Sequence, residues 1–333
     1  MSQISQSKRG NFRVFMYQSD RKDDWDRFVR KAKNATFLFE RDFMDYHRDR
    51  FRDHSLMVYK DDRVFAVLPA NKQDTQLISH QGLTYGGLIL GTEAKLSDSL
   101  RAWTLMLQFL DQNGIETLKI KQIPGFYTLL PSDELAYFLF LCEAELINRD
   151  LIMLIDQQQA LGFQKNRREG INKAMRKGLE VKVDDDFEAF WKEILKPNLS
   201  RKHGAEPVHS LDEIILLHQR FPQQIRQVNV YHGDKLVAGT TVFLTRTTIH
   251  PQYVSADQDK NQLGSLDMLY DFVMREFSQG RRYFDFNTSV DPDTGGLNPG
   301  LIFWKETCGA RAYAMDNYLV QTASYKNLIQ HLE

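Results

Sequence analysis

The chain repeats itself, and that constrains its fold more than any other feature. Val58–Ala70 reads VYKDDRVFAVLPA and Val230–Val242 reads VYHGDKLVAGTTV. Without gaps they share Val-Tyr, a turn holding Asp62 or Asp234, a basic residue at Arg63 or Lys235, an apolar pair, and Ala66 or Ala238. Each predicts a β-hairpin closed by a short polar turn. A second block follows in the same order. Ser99–Ile120 (SLRAWTLMLQFLDQNGIETLKI) aligns with Ser265–Phe286 (SLDMLYDFVMREFSQGRRYFDF). Each predicts a helix opened by Ser at its N-cap, stopped by Gly114 or Gly280, and followed by a short strand. Val58 against Val230 sets an offset of 172, and Ser99 against Ser265 one of 166, so the first copy holds six extra residues between hairpin and helix. The chain is therefore expected to be a duplication: two α+β domains, each a mostly antiparallel twisted sheet flanked by helices. The polar DQQQA stretch marks the boundary, giving domains 1–158 and 159–333.

Composition narrows the classes. Forty-three Lys and Arg against 44 Asp and Glu leave a net charge of -1, so the chain is not a protein that coats DNA, and any phosphate contact must be local. Hydrophobic residues at 42% exclude disorder as a description of the whole. Cys142 and Cys308 stand too far apart for a disulfide scaffold or a Cys-based zinc site. The polar stretch Met1–Asn11 has no apolar signal core, and the most apolar run, Leu135–Cys142, is far short of the roughly 20 residues that span a bilayer. A cytoplasmic protein is expected.

Three segments could carry chemistry. Between Lys165 and Lys177, in GFQKNRREGINKAMRKGLEV, six basic residues face one acid, with Ile171, Ala174 and Met175 at helical spacing and Gly178 placed to end the helix. This is either a solvated linker helix or an anchor for phosphates or a carboxylate. The second segment, YVSADQDKNQLGSLDML, runs from a strand through Gly264 into a helix start. There, backbone N–H groups and the positive helix end favour a pyrophosphate. The third segment runs from Tyr283 to Ala310, where Asp285 and Asn287 share one strand face and residues 291–300 read as a long loop. His203 and His209 flank a short loop, with Ser210 and Glu213 forming a capping box for the next helix. His47, His54 and their neighbouring aspartates read as a polar helix face, and no metal is expected.

These pieces, with the closing FWKETCGA, resemble the FemAB-like group of GNAT-related transferases, which carry two GNAT-fold domains in tandem. Arg167, Arg168, Lys177 and Gly178 match the group's Arg-rich helix, and Trp304, Lys305, Gly309 and Ala310 match its aromatic-Lys and Gly-Ala pattern. The glycine loop departs from the usual Q/R-x-x-G-x-G/A form, since Gln258–Ser265 holds only Gly264, and the stretch near Gly91 is weaker still. The resemblance implies a first domain degenerate for donor binding and a donor site in the second. Its cofactor-binding residues are Gln258, Asn261, Leu263, Gly264 and Ser265. Lys305 is implied to contact the acyl carbonyl or phosphates. Asp285 and Asp257 are candidates to orient or deprotonate an amine, Tyr253 to protonate a leaving group, and His209 to act as a further base. Arg167, Arg168, Tyr85, Tyr127, Asn287 and Trp304 are the implied substrate contacts, with the basic helix holding acceptor phosphates.

The leading expectation is an N-acyltransferase moving an acyl group, acetyl in the first instance, from acyl-CoA to an amine of a cell-envelope or polysaccharide precursor, nucleotide- or lipid-linked. An aminoacyl-tRNA-dependent transferase is the alternative within enzymes. A non-catalytic sugar-nucleotide-binding protein is the alternative outside them.

Overall fold

The computed structural model describes residues 10–204, 206–290 and 295–332. The chain divides into two compact units, Met1–Arg149 with Asp316–Glu333, and Asp150–Met315. The polar boundary stretch predicts a single cut after residue 158. The structure instead returns the C-terminal segment to the first unit, because Asn317–Gln321 pairs antiparallel with Thr117–Lys121.

In the first unit, Phe12–Met16, Leu56–Lys60, Arg63–Leu68 and Ile89–Leu90 form a four-stranded antiparallel sheet. Gln76–Ser79 and Thr117–Lys121 run parallel to each other beside the short strand Asn71–Gln73. The helix Leu96–Gln112 buries Trp103, Met106, Leu107 and Leu110 against Leu56, Val58 and Leu118. In the second unit, the strands Leu179–Lys182, Ile225–His232, Lys235–Leu244, Thr248–Ala256 and Tyr283–Thr288 lie in that order, and residues 152–156 pair with the last of them. On one face, Val228, Val230 and Ala238 join Leu269 and Val273 of the helix Ser265–Glu276 in a shared core with Ala174 of the helix Lys165–Arg176. On the other face, Gly239 lies directly under the Phe190 ring, where even a Cβ would come within 2.6 Å.

The repeat is visible in the backbone. Both hairpins carry one bulge at the same place, between Val58 and Tyr59 and between Val230 and Tyr231. Both turns begin with a left-handed residue, Asp61 (φ 55°) and Gly233 (φ 59°). Gly114, at φ 73°, follows the end of its helix directly as expected, whereas the helix Ser265–Glu276 stops before Gly280, whose positive φ (75°) belongs to a turn four residues further on. The serine caps are corrected: Leu96–Gln112 begins ahead of Ser99, whose hydroxyl donates to the Lys95 carbonyl at 2.9 Å, and Ser265 is already the first residue of its helix. The capping box at Ser210 and Glu213 forms as expected. Of the expected loop 291–300, residues 291–294 lie outside the described residues; Asn298 caps a helix that starts at Pro299. The side chain of His203 also lies outside them. No helix among the described residues is long and apolar enough to cross a membrane, and no group of three or more His, Cys, Asp or Glu among them is placed to hold a metal ion.

Candidate functional site

The strands Thr248–Ala256 and Tyr283–Thr288 run parallel but pair at only two positions, Thr248 with Tyr283 and Ile249 with Phe284. Beyond them each strand stays attached to its outer neighbour, and the two part from each other. A register shift between Thr241 and Val242 on the outer neighbour of the first strand marks where it begins to bend. Parallel strands opening at their carboxyl ends create a crevice lined by backbone groups, a recurrent ligand position in α/β sheets.

His250 and Asp285 immediately follow the last paired positions, so they sit at the vertex of the opening. Ile249 and Phe284 face the helix-covered core, and alternation turns the next residue of each strand to the opposite face. There His250 Nδ1 lies 2.9 Å from Asp285 Oδ2, with the two residues only 4% and 2% exposed. Given Nδ1–H to the carboxylate, a neutral His250 carries its lone pair on Nε2. The Gln252 side-chain oxygen, 3.2 Å from Nε2, is placed to accept that position's N–H once the ring is protonated. This is the geometry of an oriented base.

Lys305 sits beside them. Its Nζ donates to the Asn287 carbonyl (3.1 Å), the Thr288 carbonyl (2.6 Å) and Ser289 Oγ (2.9 Å), which commits all three N–H groups. Burial pushes its pKa down to about 8, against the pull of the Asp285 carboxylate. Asn287 is held at φ 64°, its N–H donating to Asp285 Oδ1 at 2.6 Å. Lys305 is thus the clamp that fixes the end of the parted strand.

A cleft of about 680 Å³ opens between the helix Lys165–Arg176 and the start of Ser265–Glu276. Arg167, Lys173, Arg176 and Lys260 line it with Asn261, Trp304 and the carboxylates Glu169 and Asp267. The three segments singled out in the sequence therefore meet here. Arg167 donates to Asp267 at 2.8 Å, while burial raises the Asp267 pKa against that guanidinium's pull. Lys173 Nζ reaches the Asn261 carbonyl at 3.2 Å. Trp304 also packs on Phe286 of the parted strand, with ring centres 5.7 Å apart.

Gly264 serves helix packing. At φ 73°, its Cβ would stand 2.2 Å from the Gly170 carbonyl, so the Arg-rich helix rests directly on this glycine. Left-handed strain and the backbone clash together predict that Gly264→Val destabilises the protein by about 2–4 kcal/mol. Thermal unfolding checks this. Loss of donor binding in that variant with an unchanged melting temperature would overturn it.

The remaining candidates are scattered. Tyr253 and His209 meet: the His209 N–H donates to the Tyr253 hydroxyl at 3.1 Å, His209 Nδ1 lies 2.5 Å from it, and burial pushes the phenol up to about 12. Asp257 pairs with Lys235 at 3.0 Å and accepts the Asp259 N–H. Gln258 is exposed, Leu263 is in the core, and Ser265 is buried under the helix start. Arg168 is exposed and does not line the cleft. Tyr85 and Tyr127 are buried against each other in the first unit, ring centres 4.5 Å apart, so they are packing residues.

The first unit holds the equivalent strands but not the opening. Gln76–Ser79 and Thr117–Ile120 stay paired over four positions, in the register that the offsets 172 and 166 carry onto Thr248–Ile249 and Tyr283–Phe284. The next pair is Ile78 with Lys119, where the second unit has His250 and Asp285. Past Ser79 the chain closes the gap with its own backbone. Gly86 donates to the Lys121 carbonyl at 2.6 Å and lies so close to Ser79 that a Cβ would be 1.8 Å from its carbonyl oxygen. Gly87 N–H donates to Ser79 Oγ at 2.7 Å. The six extra residues of the first copy fall between Ser79 and Ser99, in the stretch that forms this plug. The Tyr-Gly-Gly glycines thus admit the chain's own backbone.

Residues 165–303, inside the second unit, match the family described as an acetyltransferase (GNAT) domain. Among solved structures, FemX superposes with a TM-score of 0.65 at 11% identity, over 96% of this chain and 100% of that one. A tandem GNAT protein from the clavulanic acid biosynthesis pathway gives 0.50 at 12%, over 94% and 99%. The C-terminal domain of a putative lysylphosphatidylglycerol synthetase from Agrobacterium fabrum gives 0.53 at 13%, over 78% and 82%. No curated protein matches the sequence. The chain has a tandem GNAT-like fold, and the segment that matches the acetyltransferase (GNAT) family lies in the second unit.

Proposed function

We propose that the protein is an N-acyltransferase that carries an acyl group, acetyl in the first instance, from acyl-CoA to an amine of a cell-envelope or polysaccharide precursor in the cytoplasm. The observation that supports this reading is the parting of the two parallel strands with His250 and Asp285 at its vertex. An acyl thioester lying along the parted edge meets backbone N–H groups of the strand Thr248–Ala256, which stabilise the oxyanion that forms when the amine nitrogen attacks the carbonyl carbon. The amine proton passes to His250 Nε2, Asp285 and Gln252 hold the resulting imidazolium, and the C–S bond breaks to release CoA thiolate. The Tyr253 hydroxyl is engaged by His209 and its pKa is pushed up to about 12 by burial, so it gains little by protonating the departing sulfur.

Calorimetric titration with acetyl-CoA and with free CoA tests the donor. Binding at one site per chain is expected, because the first unit's crevice is filled by Gly86 and Gly87. Thiol release that depends on an added amino sugar or amino-acyl acceptor completes the case. Absence of binding to either nucleotide rejects acyl-CoA as donor and leaves aminoacyl-tRNA or a silent sugar-nucleotide-binding fold.

A further inference from the structure

We propose that the edge strand Phe12–Met16 of the first unit is the surface on which a second copy of this chain docks, the two strands pairing antiparallel about a two-fold axis at Val14. The inference stands apart from the acyl-transfer reading and is tested separately from it.

Phe12–Met16 closes one side of its four-stranded sheet. The Tyr17 N–H donates to the Ser55 carbonyl at 2.8 Å and the Asp61 N–H to the Asn11 carbonyl at 2.7 Å, so Arg13 and Phe15, at the same spacing, bond inward to Leu56–Lys60. Alternation along an antiparallel ladder then turns the N–H and C=O groups of Phe12, Val14 and Met16 to the open side, where no strand among the described residues pairs with them. A groove of about 310 Å³ follows that side. Val14, Met16 and Phe109 line it from the helix-covered face, and Phe15, Tyr59 and Arg21 from the other. Phe15 and Met16 are 46% and 41% exposed.

The second unit shows the same strand with its edge guarded. Leu179–Lys182 closes its own sheet and pairs with Ile225–His232 in the register that the offset of 172 carries over from the first unit. Glu180 there stands in the place of Arg13, and Lys182 in the place of Phe15. Both are exposed, and they bridge at 3.3 Å. Charges on an edge deter the addition of another strand. The first unit instead carries an aromatic ring where the guarding lysine stands.

The symmetry of the strand selects a second copy over any other extended segment. With Val14 opposite Val14 of the partner subunit, Phe12 meets Met16 of the partner subunit and Arg13 meets Phe15 of the partner subunit, each twice. Apolar side chains then face each other on the helix-covered side. On the other side a guanidinium faces a ring, as Arg13 already does within the strand, 5.9 Å from the Phe15 centre. No like charges oppose, and the outward N–H and C=O groups of the two strands satisfy one another.

Sedimentation-velocity ultracentrifugation follows the full chain from about 1 to 100 µM, the span in which a small interface assembles. A concentration-dependent shift from one chain to two is expected. Phe15→Lys copies the residue that Leu179–Lys182 accommodates at this place, and it sets like charges opposite each other; it weakens the dimer by about 10-fold or more. Phe15→Glu sets a carboxylate opposite Arg13 of the partner subunit and keeps the dimer within about 3-fold. Melting temperatures measured at about 1 µM stay within a few degrees for both variants, as for other exposed substitutions. An unaltered chain that stays monomeric at about 100 µM overturns the proposal and leaves the edge to an extended segment of another protein. A dimer insensitive to Phe15→Lys lies elsewhere and overturns it too, and an equal loss in both variants overturns the pairing about Val14.

Discussion

Replacing His250 by glutamine lowers the rate of acyl transfer by about 10²–10⁴-fold and leaves donor affinity within a few-fold of the unaltered protein. Glutamine fills a similar volume and can still hydrogen-bond the Asp285 carboxylate, so the vertex stays packed, but it accepts no proton at neutral pH. A loss confined to kcat therefore identifies Nε2 as the proton acceptor. Asp285→Asn produces a smaller loss, because the imidazole remains while the carboxylate that orients it is gone. Stopped-flow or thiol-release kinetics with saturating acetyl-CoA read both. A His250→Gln protein that turns over at the unaltered rate contradicts the mechanism.

The second large effect is on stability. Lys305→Met leaves the buried Ser289 hydroxyl and the partly buried Asn287 and Thr288 carbonyls without the donor that held them. At about 1–3 kcal/mol for each unsatisfied group, partly recovered by relaxation, the expected cost is about 3 kcal/mol. That corresponds to a melting temperature lower by about 6–12 °C. The pH dependence has a definite sign. Burial lowers the folded-state pKa to about 8 from 10.5, so between those values the unfolded chain holds a proton that the folded chain has released. Stability from this group is then greatest above pH 10.5 and falls as pH drops toward 8. The gap between the unaltered protein and Lys305→Met should widen from pH 8 to pH 10 in chemical denaturation. A variant as stable as its parent at both pH values contradicts the clamp. Activity lost with stability intact would return Lys305 to the acyl carbonyl, the role the family pattern implies.

Much of this was legible in the sequence because the duplication sets registers as well as elements. The offset of 172 read from the hairpins also aligns Gln76 with Thr248, and that of 166 aligns Thr117 with Tyr283, so both parallel pairs follow from it. The three chemistry-bearing segments converge on one cleft. What escaped was side-chain chemistry that depends on the strands parting. His250 lies mid-strand between Ile249 and Pro251 and resembles a core histidine. Only its equivalence with Ile78, beside Asp285 for Lys119, marks it as a polar pair placed where the first copy has none. Gly264 misled for a related reason: a glycine at a helix start admits a phosphate or another helix equally well, and the choice of Gly170 is a tertiary one. The cut at 158 misjudged strand pairing between residues 117–121 and 317–321, which no local pattern reports.

The central claim is that one opened crevice, in the second unit, receives the acyl donor. Hydrogen exchange measured peptide by peptide, with and without acetyl-CoA, tests it most directly. Slowed exchange confined to the strands Thr248–Ala256 and Tyr283–Thr288 and the cleft helix Lys165–Arg176, with Gln76–Ser79 unchanged, is the predicted result. Protection centred on Gln76–Ser79 and Thr117–Lys121, or no protection at saturating acetyl-CoA, would contradict it.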